Sequence, residues 1–215
     1  MKKVVFVLVL LFSFITVQAQ NFDINLLKSI NQNRNKNLDP TFEFISKSVT
    51  PINIGAPVLL YGIGYFKQHK ATKDKALYLA EATLFAAITT TTIKYAINRE
   101  RPFDKYPASI DKASDAGSPS FPSGHTSAAF STATSLSIAY PKWYVIVPAY
   151  AWASSVGYSR MHLGVHYPSD VFVGAVIGAG TAYLTHYLNR KFVSGVVPER
   201  RSLSGAEVSR RALRQ

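Results

Sequence analysis

SVTPINIGAPVLLYGIGYF, Ser48 to Phe66, is a run of nineteen residues without a charge. A membrane helix needs about 17–25 mainly apolar residues, so this run reaches the length of a span. Further runs follow it. Ala76 to Ile93 is mostly apolar but carries Glu81 and four consecutive threonines. Thr126 to Tyr140 is free of charge yet rich in Ser, Thr and Ala, and Trp143 to Tyr158 is also uncharged. Val171 to Leu188 contains Gly174 and Gly178 at a spacing that lets two helices approach closely. Such runs build either the spans of a membrane protein or the core helices of a soluble all-α domain.

The segments between them favour the membrane. KQHKATKDK, Lys67 to Lys75, follows the first run, Pro141-Lys142 joins the third to the fourth, and a basic tail follows the last. If the runs cross in alternation, all three basic stretches fall on one side, as cytoplasmic loops do. Residues 94–122 and 159–169 then share the other side. Ahead of the first run, Leu38, Phe42, Ile45 and Val49 recur at helical spacing, with Asp39 expected to cap a short amphipathic helix before Pro40.

Composition narrows the classes. The 215 residues suffice for one sizeable core. Residues are 47% hydrophobic and mean hydropathy is +0.06 despite 24 Lys and Arg, so charge and apolar surface are segregated. The net charge of +12 does not point to nucleic acid, because residues 190–215 alone hold seven Lys or Arg against Glu199 and Glu207. Cysteine is absent, which excludes disulfides, thiolate metal sites, a cysteine nucleophile and a lipidated N-terminal cysteine. MKKVVFVLVLLFSFITVQAQ, Met1 to Gln20, has the charged start, apolar core and small-residue site of an export signal. The expected organisation is a signal or anchor over 1–19, a polar segment with an amphipathic helix over 20–47, a catalytic core over 48–189 and a basic, disordered tail over 190–215.

Nearly all the reactive side chains fall in the two loops assigned to the second side. One carries Lys94, Arg101 and FPSGH, Phe121 to His125; the other is SRMHLGVHYPSD, Ser159 to Asp170. Lys94, Arg101 and Arg160 would repel one another unless a polyoxygenated anion lay between them, and guanidinium forks match phosphate oxygens. Ser123 and Gly124 open a helix, whose N-terminal N–H groups are expected to face an anion. Two histidines then have work to do on a phosphoryl group. One attacks phosphorus and the other protonates the leaving oxygen. A carboxylate on the far nitrogen keeps an attacking imidazole in the right tautomer, and Asp170 lies one helical turn beyond His166.

KxxxxxxRP (Lys94 to Pro102), PSGH (Pro122 to His125) and SRxxxxxHxxxD (Ser159 to Asp170) occur here in that order. Together they resemble the three-part signature of the type 2 phosphatidic acid phosphatases (PAP2), which share a fold with vanadium haloperoxidases. The resemblance covers Lys94 to about Leu188 directly. It implies an all-α helical bundle with five or six transmembrane helices, in the bacterial cell envelope, its active site facing the periplasm from the inner membrane. It implies metal-independent hydrolysis, without a cofactor, of a lipid phosphate or isoprenoid diphosphate through a phosphohistidine. By the matching positions His166 is the nucleophile, Asp170 its orienter and His125 the general acid, while Lys94, Arg101, Ser123, Gly124 and Arg160 bind the phosphoryl group. The expected partners are the phosphorylated lipid and the membrane, with oligomeric state open.

Three rivals stand beside this reading: a soluble periplasmic acid phosphatase of the same superfamily, a vanadate-dependent haloperoxidase, and a phospholipid binder without catalysis. Both histidines and Asp170 argue against the last, since binding needs only the cations. His162 is read as packing, and Arg99 and Glu100 as a solvated or locally paired face.

Overall fold

The structure is a computed structural model that describes residues 21–192. The expected leader or anchor over 1–19 and most of the tail expected over 190–215 lie outside the described residues; residues 190–192 instead end the last helix. Helix α1 covers residues 21–32, and a 3-10 turn at Lys36–Leu38 leads into α2 (Asp39–Lys47) and α3 (Val49–Phe66). Helix α4 (Lys70–Ile97) and the short α5 (Pro102–Lys105) follow, and coil runs from there to Ser123. Helices α6 (Gly124–Ala139), α7 (Trp143–His162) and α8 (Pro168–Phe192) complete an all-α bundle.

Three helical stretches are long and apolar enough to cross a membrane: Lys36–Phe66, Lys70–Lys105 and Pro168–Phe192. Their outer faces expose large apolar side chains, among them Val58 and Phe66 on α3, Leu84 and Ile88 on α4, and Phe172 and Val176 on α8. Water would penalise such a surface; lipid would not. Helix α6 is different. It lies against α3, α4, α7 and α8, so its Ser, Thr and Ala positions meet other helices and never need to satisfy lipid. Several of its hydroxyls are paired inside the bundle, Ser135 to the Ser131 carbonyl and Thr132 to the Asn53 side chain, while the buried Ser131 Oγ has no partner among the described residues. Gly174 and Gly178 let α8 close on α6, with the Cβ positions facing the Ser123 and Ser127 carbonyls. Tyr78 of α4 is fully buried and donates to the Ala182 carbonyl of α8.

Short turns reverse the chain between α3 and α4, α6 and α7, and α7 and α8, while the long coil to Ser123 connects α4 to α6. One end of the bundle therefore collects Lys67, Lys70, Lys73, Lys75, Lys142, Arg190 and Lys191. Trp143, Tyr144 and Tyr65 are exposed near that end, whereas Trp152 packs inside and donates to Ser48 Oγ. The opposite end collects the C-termini of α4 and α7 and the N-termini of α6 and α8.

Asp39 does not cap α2 as the sequence suggested. Leu38 holds the cap position without a side-chain bond, and Asp39 is already the first helical residue. Its carboxylate is instead taken by Arg34 at 3.0 Å and His162 Nε2 at 2.9 Å. A cap bond is worth about 1 kcal/mol, whereas a buried guanidinium left without its carboxylate is strongly destabilising.

Candidate active site

Each part of the site sits where a helix stops or starts. Asn98 ends α4 in the left-handed region (φ 49°), its N–H bonded to the Lys94 carbonyl. Asn tolerates that conformation, and the chain leaves one turn after Lys94 towards Arg101. Ser123, extended, begins α6, so Gly124 and His125 form its first turn. Helix α7 ends just after Arg160, and Gly164 (φ +73°) reverses the chain before His166. A side chain there would fall 2.4 Å from the Asp111 carbonyl oxygen, so only glycine fits.

The structure brings the predicted residues together. Lys94, Arg101, Arg160, His166 and Asp170 are all buried. Lys94 Nζ donates to the Pro119 carbonyl at 2.6 Å. Arg101 donates to the carbonyls of Ser118 and Val165, each at 2.7 Å, which fixes its fork across the loop. Arg160 donates through one terminal nitrogen to Ser46 Oγ, while its buried Nε has no partner among the described residues. An orphaned buried guanidinium nitrogen costs free energy unless an acceptor arrives, which fits an anion site.

His166 lies with Nδ1 3.3 Å from Asp170 Oδ2 and Nε2 3.4 Å from an Arg101 terminal nitrogen. The carboxylate thus holds one ring nitrogen and the other faces the cations. Asp170 is fully buried, and Oδ2 also accepts from Ser120 Oγ at 2.5 Å and the Tyr167 N–H at 3.0 Å. Burial pushes the His166 pKa below the ordinary imidazole value, and Asp170 only partly opposes this, so the ring stays neutral at neutral pH. His125 begins outside the three apolar stretches, and its pKa is pushed down to about 4, first by burial and then by Arg160, Arg101 and Lys94. All three cations therefore act on its imidazole.

Ser123 departs from expectation in one respect. Its N–H donates to the Asp170 carbonyl at 3.0 Å, and its hydroxyl bonds Thr126 at 2.9 Å. The N–H groups left without an intrahelical acceptor at this helix start are those of Gly124, His125 and Thr126. Ser123 ties α6 to α8, and Gly124 carries the N–H nearest the helix end.

A family model described as the PAP2 superfamily matches residues 75–194, more than half of the chain. The chain belongs to the PAP2 superfamily. Among PAP2 relatives, the undecaprenyl-diphosphatase of Sulfolobus acidocaldarius is 28% identical, over 78% of this chain and 79% of its own. The lipid A 1-phosphatase of Rhizobium johnstonii is 32% identical, but the match spans 50% of this chain and 45% of that protein. The crystal structure of a transmembrane PAP2 phosphatidylglycerolphosphate phosphatase from Bacillus subtilis aligns with TM-score 0.70 and 25% identity, over 87% of this chain and 94% of that one. That of Aquifex aeolicus LpxE aligns with TM-score 0.66 and 26% identity, over 77% and 95%. With its apolar helices, this PAP2 chain is a membrane protein.

Two features of the PAP2 site escaped the sequence reading. Arg99 is not a solvated neighbour of Glu100. It bonds Asp170 Oδ1 at 2.6 Å, Asp23 Oδ2 at 2.7 Å and Ser169 Oγ at 2.8 Å, and its guanidinium lies 3.8 Å from the Tyr167 ring centroid. Asp23 of α1 also accepts from Ser169 N–H and Oγ, at 2.8 and 2.6 Å. The only local signal was an arginine two residues before Arg101. His162 is packed as expected, its ring centroid 4.2 Å from that of Phe42 in a tilted arrangement.

Proposed function

We propose that this PAP2-type phosphatase hydrolyses a lipid phosphate or isoprenoid diphosphate through a covalent phosphohistidine, with His166 as nucleophile. The observation that carries the reading is the placement of His166, with Nδ1 on Asp170 and Nε2 turned to the Arg101 guanidinium. Lys94, Arg101, Arg160 and the Gly124 N–H hold the phosphoryl oxygens. His166 Nε2 attacks phosphorus in line with the leaving oxygen; as that P–O bond breaks, His125 gives the oxygen a proton. In the second half His125 takes a proton from water, which attacks phosphorus, breaks the N–P bond and releases phosphate. Asp170 holds the His166 tautomer and balances the charge that develops on the ring.

Burial first, and then Arg160, Arg101 and Lys94, hold the His125 imidazole neutral. A bound phosphoryl group places negative charge among those cations, so the substrate restores the proton that His125 must donate. Catalysis and binding are then coupled through one cluster of charge.

The lipid class is supported by the apolar outer faces of the bundle and by relatives named for undecaprenyl diphosphate, lipid A and phosphatidylglycerol phosphate. The cluster of basic residues at one end, read as the cytoplasmic side, supports an orientation in which the opposite end, with the site, faces outward from the bacterial inner membrane. Phosphate release in detergent from undecaprenyl diphosphate, phosphatidylglycerol phosphate, lipid A, phosphatidic acid and p-nitrophenyl phosphate tests the reading. Preference for one lipid over p-nitrophenyl phosphate supports it. Equal turnover of all, or activity confined to the small ester, overturns the lipid assignment.

A further inference from the structure

The carboxylate of Asp170 is held from two sides. Oδ2 serves His166, Ser120 and the Tyr167 N–H, whereas Oδ1 has one partner among the described residues, Arg99. Arg99 in turn is gripped by Asp23, which the N–H and hydroxyl of Ser169 fix at the start of α8. The Arg99 guanidinium carbon also lies over the ring of Tyr167, the residue after His166, 3.8 Å from its centroid. The chain of contacts runs from the first described helix, through one guanidinium, to the carboxylate whose other oxygen orients the attacking ring.

We infer that Arg99, clamped by Asp23, is a positioning residue for the phosphoryl transfer: it fixes the rotation of the Asp170 carboxylate and so the aim of His166, without touching the phosphoryl group. The inference rests on the function proposed above. A carboxylate bonded on one oxygen alone can tilt about its Cβ–Cγ axis. The His166 contact, already long at 3.3 Å, is the one that tilting weakens first. Arg99 also supplies a directly bonded cation for a carboxylate that is otherwise paired only with neutral groups, and a buried carboxylate without one is costly. Helix α1 therefore completes the active site. It adds Asp23 to it and packs Ile24 and Leu27 against Ile110 and Tyr167 of the surrounding loops.

The two roles that Arg99 could have, brace or aim, differ in what they change. Arg99 bonds no residue of the cation cluster, so its loss should spare phosphate binding and slow chemistry. Arg99→Gln is expected to lower kcat by about 10–100-fold, the size of effect seen when outer partners of a ligating group are removed. That is short of the roughly 10⁴-fold lost when an orienting carboxylate itself is replaced in a serine triad. Inhibition by inorganic phosphate should change less than about threefold, since the groups that hold it remain. Arg99→Lys, which keeps the charge but cannot fork between two carboxylates, should recover part of the loss. Asp23→Asn should reduce kcat less than Arg99→Gln. The double variant should be no slower than Arg99→Gln, because both act through one contact.

The experiment uses the full chain in detergent, with the fastest substrate of the lipid panel and with His166→Ala alongside. An inactive His166→Ala together with an unchanged kcat in Arg99→Gln overturns the positioning role alone. So does a phosphate inhibition constant that weakens as much as kcat falls, or losses from Asp23→Asn and Arg99→Gln that multiply. An active His166→Ala overturns the proposed function, and this inference falls with it.

Discussion

Replacing Gly174 by alanine should cost both stability and activity. A Cβ at this position would lie 2.6 Å from the Ser123 carbonyl oxygen, with Thr126 Cβ at 3.3 Å, where ordinary contact begins near 3.4 Å. Backbone cannot rotate away as a side chain can, so α6 and α8 must part by several tenths of an ångström. Overpacking of this kind costs about 1–3 kcal/mol. The same displacement moves Ser123, whose N–H is bonded to the Asp170 carbonyl, and with it Gly124 and His125 relative to His166. A misplacement of about 1 Å can cost 10²-fold in rate, so a loss of about tenfold in kcat/KM is expected. Gly178→Ala meets the Ser127 carbonyl oxygen at 2.1 Å, one turn further from the site, and should destabilise at least as much. Gly180→Ala, with nothing within 4 Å, is the control and should stabilise the helix by about 0.5–1 kcal/mol. Thermal unfolding in micelles, paired with phosphate release, reads all three. Equal melting temperatures and activities for Gly174→Ala and Gly180→Ala would refute the close helix contact.

Other outcomes follow from the charges and rings of the site. Because the free enzyme holds His125 at a pKa of about 4, kcat/KM should be highest at acid pH and fall as pH rises; the corresponding limb of kcat, read in the complex, should lie at higher pH. His166 is also buried neutral, with its pKa lowered from 6.5, so the unfolded chain binds protons the folded chain refuses. Its contribution is complete above pH 6.5 and is lost as pH falls below it. A His166→Asn protein should therefore show a shallower loss of melting temperature on acidification. Arg160→Lys should weaken inhibition by inorganic phosphate about tenfold, because a point charge cannot replace the fork that offers its free Nε. His162→Phe should lower the melting temperature by losing Asp39 while keeping kcat/KM within about threefold, since the ring contact with Phe42 survives.

The helices were legible because apolar runs and basic turns are local signals. Ser48 to Phe66 contains α3, and the lysine loops mark one end of the bundle. The role of Thr126 to Tyr140 was less legible. A Ser, Thr and Ala-rich segment is a poor lipid-facing helix but a good central one, and sequence alone does not say which neighbours will wrap it. The site residues were legible as a set because their spacing within each loop is short and fixed. Their partners were not. Asp23 meets Arg99 across 76 residues and His162 meets Asp39 across 123, contacts that leave no periodicity to read. Asp39 shows the consequence, since a residue well suited to a local cap was claimed by a distant histidine and a nearby arginine.

The central claim is that His166 attacks phosphorus. The most direct test is phosphate release in EDTA by purified wild-type and His166→Ala proteins, both shown folded by thermal unfolding, on the best lipid substrate. Full wild-type turnover in EDTA is expected, with loss of at least about 10³-fold in the variant, as when a covalent nucleophile is removed. A folded His166→Ala protein that turns over at the wild-type rate would contradict it.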